Sequence, residues 1–164
     1  MLVTPRVHLR QMCAADASGY AELLNDSTAY PYLSETPIPP HEIPSRIARN
    51  QQYFETRQHL YWTIASIGSS QFVGYVAAHN LCAKNVALSY GVLSDFRRRG
   101  IATEALEAVI FYLFNVLGVS QVEASVHPRN VASKELLHRL GFKEACQTGT
   151  EPASTRIRLI RQKS

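Results

Sequence analysis

The chain has 164 residues, 46% hydrophobic and 18% charged, which suits one globular domain (1–164) with its own core. The formal net charge of +4 admits an anionic ligand or a ribosome-associated partner, but the excess sits largely in Arg97–Arg99 and the tail residues Arg156, Arg158, Arg161 and Lys163. Cys13, Cys82 and Cys146 lie far apart with no Cys-x-x-Cys, which argues against a disulfide framework or a zinc site and suits reduced thiols in the cytoplasm.

No long apolar segment follows Arg6 and Arg10, and no run reaches the roughly 20 apolar residues of a membrane span, so neither a signal peptide nor membrane insertion is expected. Val7 to Met12 alternates and predicts a first strand. Asp16 is placed to cap a helix running to about Leu24, with Ala17, Tyr20, Ala21 and Leu24 on one face. Tyr30 to Pro44 carries five of the eight prolines together with Tyr30, Tyr32 and Glu35. Proline fixes φ and removes donors, so this segment is an irregular loop, either a connector or a wall facing a substrate. A helix is expected from Pro44 to Thr56. Leu60 to Ile67 and Gln71 to Ala78 form a hairpin about the Gly68-Ser69-Ser70 turn. Lys84-Asn85 turns the chain into a third antiparallel strand, Val86 to Leu93.

Next comes Phe96-Arg97-Arg98-Arg99-Gly100-Ile101-Ala102-Thr103, then an apolar helical pattern to Leu117 with Gly118 as its stop. A strand thus leads through arginines and a glycine into a helix N-terminus. The first amides of a helix lack partners and its dipole favours an anion. Gly100 permits close approach, Ala102 and Thr103 are small, and guanidinium groups suit phosphate oxygens. The stretch reads as a pyrophosphate cradle; a solvated arginine turn is the plain alternative. It matches neither Gly-x-x-x-x-Gly-Lys-Ser/Thr nor Gly-x-Gly-x-x-Gly. Gln121 to Val126 alternates as a further strand, and a strand–helix–strand unit of this length predicts a right-handed parallel crossover. Asn130 is placed to cap a helix that stops at Gly141, and strands Phe142 to Thr148 and Thr155 to Arg161 close the chain.

Arg97-x-x-Gly100-x-Ala102 resembles the coenzyme A signature of the GNAT acyltransferases, Arg/Gln-x-x-Gly-x-Gly/Ala. Asn130-x-x-Ser133-x-x-Leu136-Leu137-x-x-Leu140-Gly141-Phe142 is similar to the Asn…Leu-Gly-Phe block that closes that fold. Ser133 resembles the Rim-type branch, which acetylates protein N-termini. The resemblance implies a single-domain mixed α/β sheet of about seven strands with flanking helices. Its fourth and fifth strands would splay apart to admit the pantetheine arm of acetyl-CoA. The implied cofactor contacts are Val92, Leu93, Arg97, Arg98, Arg99, Gly100, Ile101, Ala102, Thr103, Asn130 and Ser133.

Acyl transfer from a thioester to an amine needs a neutral amine, donors for the oxyanion and a proton for the thiolate. Backbone amides around Val92 and Leu93 would be the donors, with Gly91 either a bulge that turns them or a packing glycine. By the resemblance, Ser133 would give the thiolate its proton; otherwise it is a first-turn serine. Asn130 would touch pantetheine or cap the helix. Many family members carry a glutamate before the Gly-Tyr pair of the fourth strand, whereas Val86-Ala87-Leu88-Ser89-Tyr90 has no acid there. Glu35, His79, Tyr90, Glu123 and His127 are the candidate bases, with a water chain to bulk solvent as the alternative, and Ser133, Tyr90 and Glu123 are taken as the catalytic set. Tyr30, Tyr32 and Glu35 are taken as the acceptor site. Six histidines lie scattered without ligand spacing, so no metal is expected.

The expected activity is acetyl-CoA-dependent N-acetylation of a primary amine, led by a protein or peptide α-amine, by a monomer or homodimer. Its rivals are a small-molecule amine acetyltransferase and a non-catalytic acyl-CoA-binding module. Direct nucleic-acid binding is not expected, because no aromatic-interleaved basic surface accompanies the arginines.

Overall fold

Strands β1 (Leu2–Val3), β2 (Val7–Gln11), β3 (Leu60–Ser66), β4 (Phe72–His79), β5 (Asn85–Val92), β6 (Gln121–Val126), β7 (Lys143–Glu144) and β8 (Ile157–Gln162) form one sheet. Their order is β1-β2-β3-β4-β5-β6-β8-β7. The computed structural model describes residues 1–28, 32, 37–82, 85–145 and 156–163. The mixed α/β architecture is the expected one, with eight strands rather than about seven. The additional strand, Leu2–Val3, pairs with Leu9 and His8 and is too short to carry a periodic signal. All pairings are antiparallel except β5 with β6, which is the expected parallel crossover.

Four helices, α1 (Ala17–Leu24), α2 (Ile43–Glu55), α3 (Ile101–Asn115) and α4 (Val131–Arg139), cover the two faces. Helix α3 buries Ile101, Ala105, Leu106, Val109, Ile110, Leu113 and Phe114, an i, i+4 spacing that makes one wide apolar face. That face packs with Leu137 and Leu140 onto Val86, Leu88, Val92, Val122, Ala124 and Val126. The second core, on the other face, joins Tyr20, Leu23 and Leu24 of α1 to Ile43 and Ile47 of α2. Alternation along β5 and β6 therefore divides the sheet into an α3–α4 side and an α1–α2 side.

Asp16 occupies the N-cap position of α1 but its side chain does not cap the helix. It is 1% exposed. Its carboxylate accepts from Arg10 Nη2 and Nη1 at 2.7 and 2.8 Å, Thr63 Oγ1 at 2.8 Å and the Cys13 N–H at 2.9 Å. Burial alone would raise this carboxyl's pKa. The Arg10, Cys13 and Thr63 hydrogen bonds outweigh it and hold the pKa below the usual value. A depressed folded pKa contributes stability that is full above the unfolded value of about 3.9 and is lost as pH falls through the folded one. Asp16→Ala is expected to lose about 2 kcal/mol at neutral pH, less than the roughly 3–5 kcal/mol of a fully buried broken pair, because Arg10 keeps some solvent contact. Urea titration should show that deficit shrinking as pH drops below about 4. Equal stability at neutral pH would mean that the three donors find other partners.

Candidate active site

The β5–β6 pairing runs from Asn85↔Gln121 to Leu88↔Ala124 and stops. Beyond it β5 continues to Val92 and β6 to Val126, so the two parallel strands diverge. This is the expected splay between the fourth and fifth strands of the sequence reading. Backbone groups on the facing edges of a diverging pair are left without ladder partners.

Of the two amides expected at this edge, Leu93 N–H donates to the Val73 carbonyl at 2.9 Å within the sheet and is not turned to the gap. Antiparallel pairs alternate, so Val92, opposite Gly74, points its N–H away from β4 and toward the gap. Gly91 is not a bulge: the β4–β5 register runs unbroken from Gly74↔Val92 to His79↔Ala87. A Cβ there would lie 3.1 Å from a methyl of Leu23, so Gly91 is a packing glycine under α1. The sheet's irregularity falls instead between Ile64 and Ala65 of β3.

After Val92 the chain makes a 3-10 turn, Ser94–Phe96, and reaches the arginine loop. Arg98 and Gly100 both have positive φ, 59° and 75°. Gly100 holds the N-cap position of α3, and no side chain caps the helix. The N–H groups from Arg98 to Thr103 have no hydrogen-bond partner among the described residues. A run of free amides at a helix N-terminus is an anion site in the making.

The three arginines divide their work. Arg97 is not a free phosphate ligand: its Nε donates to the Val92 carbonyl at 2.9 Å, Nη1 to Thr28 Oγ1 at 3.0 Å, and Nη2 pairs with Asp26. It ties the end of β5 to the turn after α1. The Asp26 carboxyl is held below its usual pKa, first by the Thr28 hydroxyl and then by Arg97, against the pull of burial. Arg98 and Arg99 remain exposed, and the Arg99 guanidinium lies 5.7 Å over the Phe96 ring.

A fourth arginine, absent from the sequence expectations, braces the loop. Arg6 Nε donates to Glu104 Oε2 at 2.6 Å, its backbone N–H donates to Oε1 at 3.0 Å, and its Nη1 bonds the Arg99 carbonyl. Burial pushes the Glu104 carboxyl up, but the Thr4 and Arg6 hydrogen bonds outweigh it and hold its pKa down. Nothing local in the sequence signals a contact across 98 residues.

On the α3–α4 side, Tyr90 and Ser133 meet across the opening, with the Tyr90 hydroxyl 2.6 Å from Ser133 Oγ. Tyr90 belongs to the end of β5 that β6 no longer pairs, and Ser133 to the first turn of α4. Asn130 caps that helix by accepting the Ser133 N–H at 3.2 Å, so of its two expected roles the cap is the one observed. Burial raises the Tyr90 pKa, and the Ser133 bond lowers it less, so this phenol stays protonated at neutral pH.

Glu123 lies on the opposite, α1–α2 face, paired across from Ala87. Its Oε2 accepts from Arg158 Nε and Nη2 at 2.9 and 2.6 Å. It is therefore an ion-pair partner rather than a free base, because strand alternation sends it away from Tyr90 and Ser133.

Tyr30 and Glu35 lie outside the described residues. Tyr32 is held over the end of β6: Arg156 donates to its carbonyl and to that of Ser125, each at 3.1 Å. The His127 ring lies 5.8 Å from the Tyr32 ring, and His127 Nδ1 accepts the Arg129 N–H at 3.2 Å. His79 lies away from this wall, on β4.

The acetyltransferase (GNAT) domain family model matches residues 6–143. The chain belongs to the GNAT acetyltransferase family. It is 28% identical over 147 residues to YoaA of Bacillus subtilis (strain 168), an uncharacterized N-acetyltransferase, covering 88% of this chain and 83% of that one. The fold matches that of a ribosomal-protein-S5-alanine acetyltransferase from Vibrio fischeri with a TM-score of 0.82, at 17% identity over 98% of this chain and 94% of that one. It also matches Mycobacterium smegmatis RimJ in complex with CoA-disulfide, with a TM-score of 0.76, at 20% identity over 94% and 83% of the two chains. As a GNAT member the chain is an N-acetyltransferase. Among the described residues no group of three or more His, Cys, Asp or Glu side chains is placed to hold a metal ion, and no helix is long and apolar enough to cross a membrane.

Proposed function

We propose that this GNAT protein transfers the acetyl group of acetyl-CoA to the α-amine of a protein or peptide. The observation that carries the reading is the gap itself. The Val92 N–H borders it on one strand, the Tyr90–Ser133 pair bridges it, and free amides and exposed Arg98 and Arg99 lie at the end of the same strand. Acetyl-CoA supplies an activated thioester, so position and a few donors can carry much of the rate.

The residues divide accordingly. The amides from Arg98 to Thr103 hold the pyrophosphate, and Val92 N–H stabilises negative charge on the carbonyl oxygen. Tyr90 and Ser133 protonate the departing thiolate. The RimJ complex with a coenzyme A disulfide supports the cosubstrate, and the ribosomal-protein acetyltransferase of Vibrio fischeri supports the acceptor class. Tyr32, held by Arg156 above β6, forms part of the acceptor wall.

The acceptor must arrive as a neutral amine. Glu123 is committed to Arg158, so a strongly basic lysine, pKa about 10.4, finds no free carboxylate there to deprotonate it. An α-amine, pKa about 7.7–8.0, is already partly neutral. Peptides carrying both amines should be acetylated faster at the N-terminus near pH 7, with the preference narrowing toward about pH 9. Mass spectrometry of the products checks this. Predominant lysine modification at neutral pH, or activity confined to polyamines or antibiotics, would transfer the assignment to a lysine-directed or small-molecule enzyme.

A further inference from the structure

The α1–α2 face of the sheet carries a hydrogen-bonded chain across three adjacent strands. His79 Nε2 lies 2.8 Å from Ser89 Oγ on β5, and Tyr61 Oη on β3 lies 3.4 Å from His79 Nδ1. The register explains the contacts: Tyr61 and Ser89 both oppose Ala77, one strand to each side, and His79 is two residues further along β4. All three side chains therefore share one face, diagonal to one another. Ser89 is the first residue of β5 beyond its last pairing with β6, so the chain ends at the base of the gap. It approaches from the face opposite Tyr90 and Ser133.

The other end leads outward. The His59 ring is 5.6 Å from the His79 ring, and Tyr53 of α2 packs 4.7 Å from His59. A recess of about 430 Å³ lined by Gln58, His59, Asn80 and Cys82 opens there. Two ion pairs also lie on this face: Glu123, across Ala87 on β6, with Arg158 of β8, and Asp16 with Arg10, where Asp16 accepts from Thr63 two residues along β3 from Tyr61.

We infer that Ser89, His79 and Tyr61 form the proton-accepting relay of the acetyl transfer. This rests on the proposed amine acetylation. With His79 protonated at Nδ1, that nitrogen donates to Tyr61 and Nε2 accepts from the Ser89 hydroxyl. As the amine nitrogen bonds to the acetyl carbon, its surplus proton goes to Ser89 Oγ while the Ser89 proton goes to Nε2. The imidazolium so formed donates at both nitrogens, to Ser89 and to Tyr61. The C–S bond breaks with its electron pair leaving on sulfur, which takes a proton from the Tyr90–Ser133 pair, and that pair regains a proton from solvent once coenzyme A leaves. His79 returns its proton to solvent through the His59 recess. A histidine, ordinarily near pKa 6.5, is matched to an α-amine rather than to lysine. The β5 stretch from Val86 to Tyr90 contains no acid of its own, so the base function passes to the neighbouring strand.

The test uses His79→Gln, which retains hydrogen-bonding groups for Ser89 and Tyr61 but has no basicity, and Ser89→Ala. Rates are measured against pH with two peptides whose α-amines differ in pKa. An acid limb that moves between peptides belongs to the amine, and one that stays belongs to the enzyme. In the parent a stationary limb is expected. In His79→Gln it should vanish while kcat falls ~10²-fold, with coenzyme A affinity and Tm unchanged. Ser89→Ala should lower kcat to a similar degree, and the double variant should be no worse than His79→Gln. A stationary limb surviving in His79→Gln, a kcat within about threefold of the parent's, or a loss matched by weaker coenzyme binding and lower Tm would overturn the relay. An active parent with an unaltered His79→Gln removes the relay alone. A parent that acetylates no amine removes the proposed activity with it.

Discussion

Tyr90→Phe is expected to lower kcat by ~10²-fold while leaving KM for acetyl-CoA within a few-fold of the parent value. The phenol belongs to the pair that bridges the β5–β6 gap, and its pKa is raised mainly by its partial burial. A raised pKa keeps Tyr90 protonated below about pH 10, so a proton is available for the thiolate throughout the working range. The tyrosine should therefore contribute no falling limb to the rate profile there. Ser133→Ala should act in the same direction, since Ser133 Oγ is the group that the phenol meets. The two hydroxyls form one unit, so Tyr90→Phe with Ser133→Ala should lose little more than the worse single change. Stopped-flow detection of the free thiol gives kcat, and thermal unfolding supplies the control. Losing one hydrogen bond should cost about 1 kcal/mol of stability. A lower Tm with normal kcat would reduce the pair to a strut between β5 and α4.

Most of the framework was legible because its signals are local. Six of the eight strands and all four helices fall within a few residues of their expected ends, since alternation and glycine stops are read within one segment; of the strand expected from Phe142 to Thr148, β7 covers Lys143–Glu144 and the expected end lies outside the described residues. Gly118 and Gly141, with φ of 71° and 81°, end α3 and α4 as their positions predict. The site was legible where backbone makes it. The arginine–glycine loop does open α3, and β5 does part from β6.

Side-chain roles were less legible, because a side chain's partner is chosen by the fold. Arg97 belongs to a phosphate-binding pattern by sequence, yet its guanidinium is spent on Asp26 and Thr28, about seventy residues earlier. Asp16 stands where a cap should be and is taken by Arg10 and Thr63. Glu123 is a plausible acid until Arg158 is seen beside it. The roles of Arg6, Arg156 and Ser89 have no local signal for the same reason: each gains its role from a neighbour on another strand or loop. His79 was among the candidate bases, but only the β3–β4–β5 register shows which hydroxyls it can reach.

Gly100→Glu is expected to raise the Kd for acetyl-CoA by ~10²-fold, equal to about 2.7 kcal/mol. Three effects act together. Gly100 has φ of 75°, where any other L-residue costs about 1–2 kcal/mol, so the loop would shift to relieve it. A Cβ at this position would lie 3.1 Å from Arg6 Nη2. The new carboxylate would thus compete with Glu104 for the guanidinium that braces the Arg99 carbonyl and the first turn of α3. It would also add a negative charge beside amides meant for phosphate, where each charge-assisted contact contributes about 1.5–3 kcal/mol. Gly100→Asn separates these terms, because asparagine tolerates a left-handed backbone and carries no charge. It should lose less than ~10-fold in affinity if charge is the main term. Arg6→Ala removes the brace alone and should weaken binding by an amount between the two. Titration calorimetry with acetyl-CoA measures all three, and Tm reports the strain separately. Affinity in Gly100→Glu within about threefold of the parent's would place the pyrophosphate somewhere other than the amides that follow Arg97.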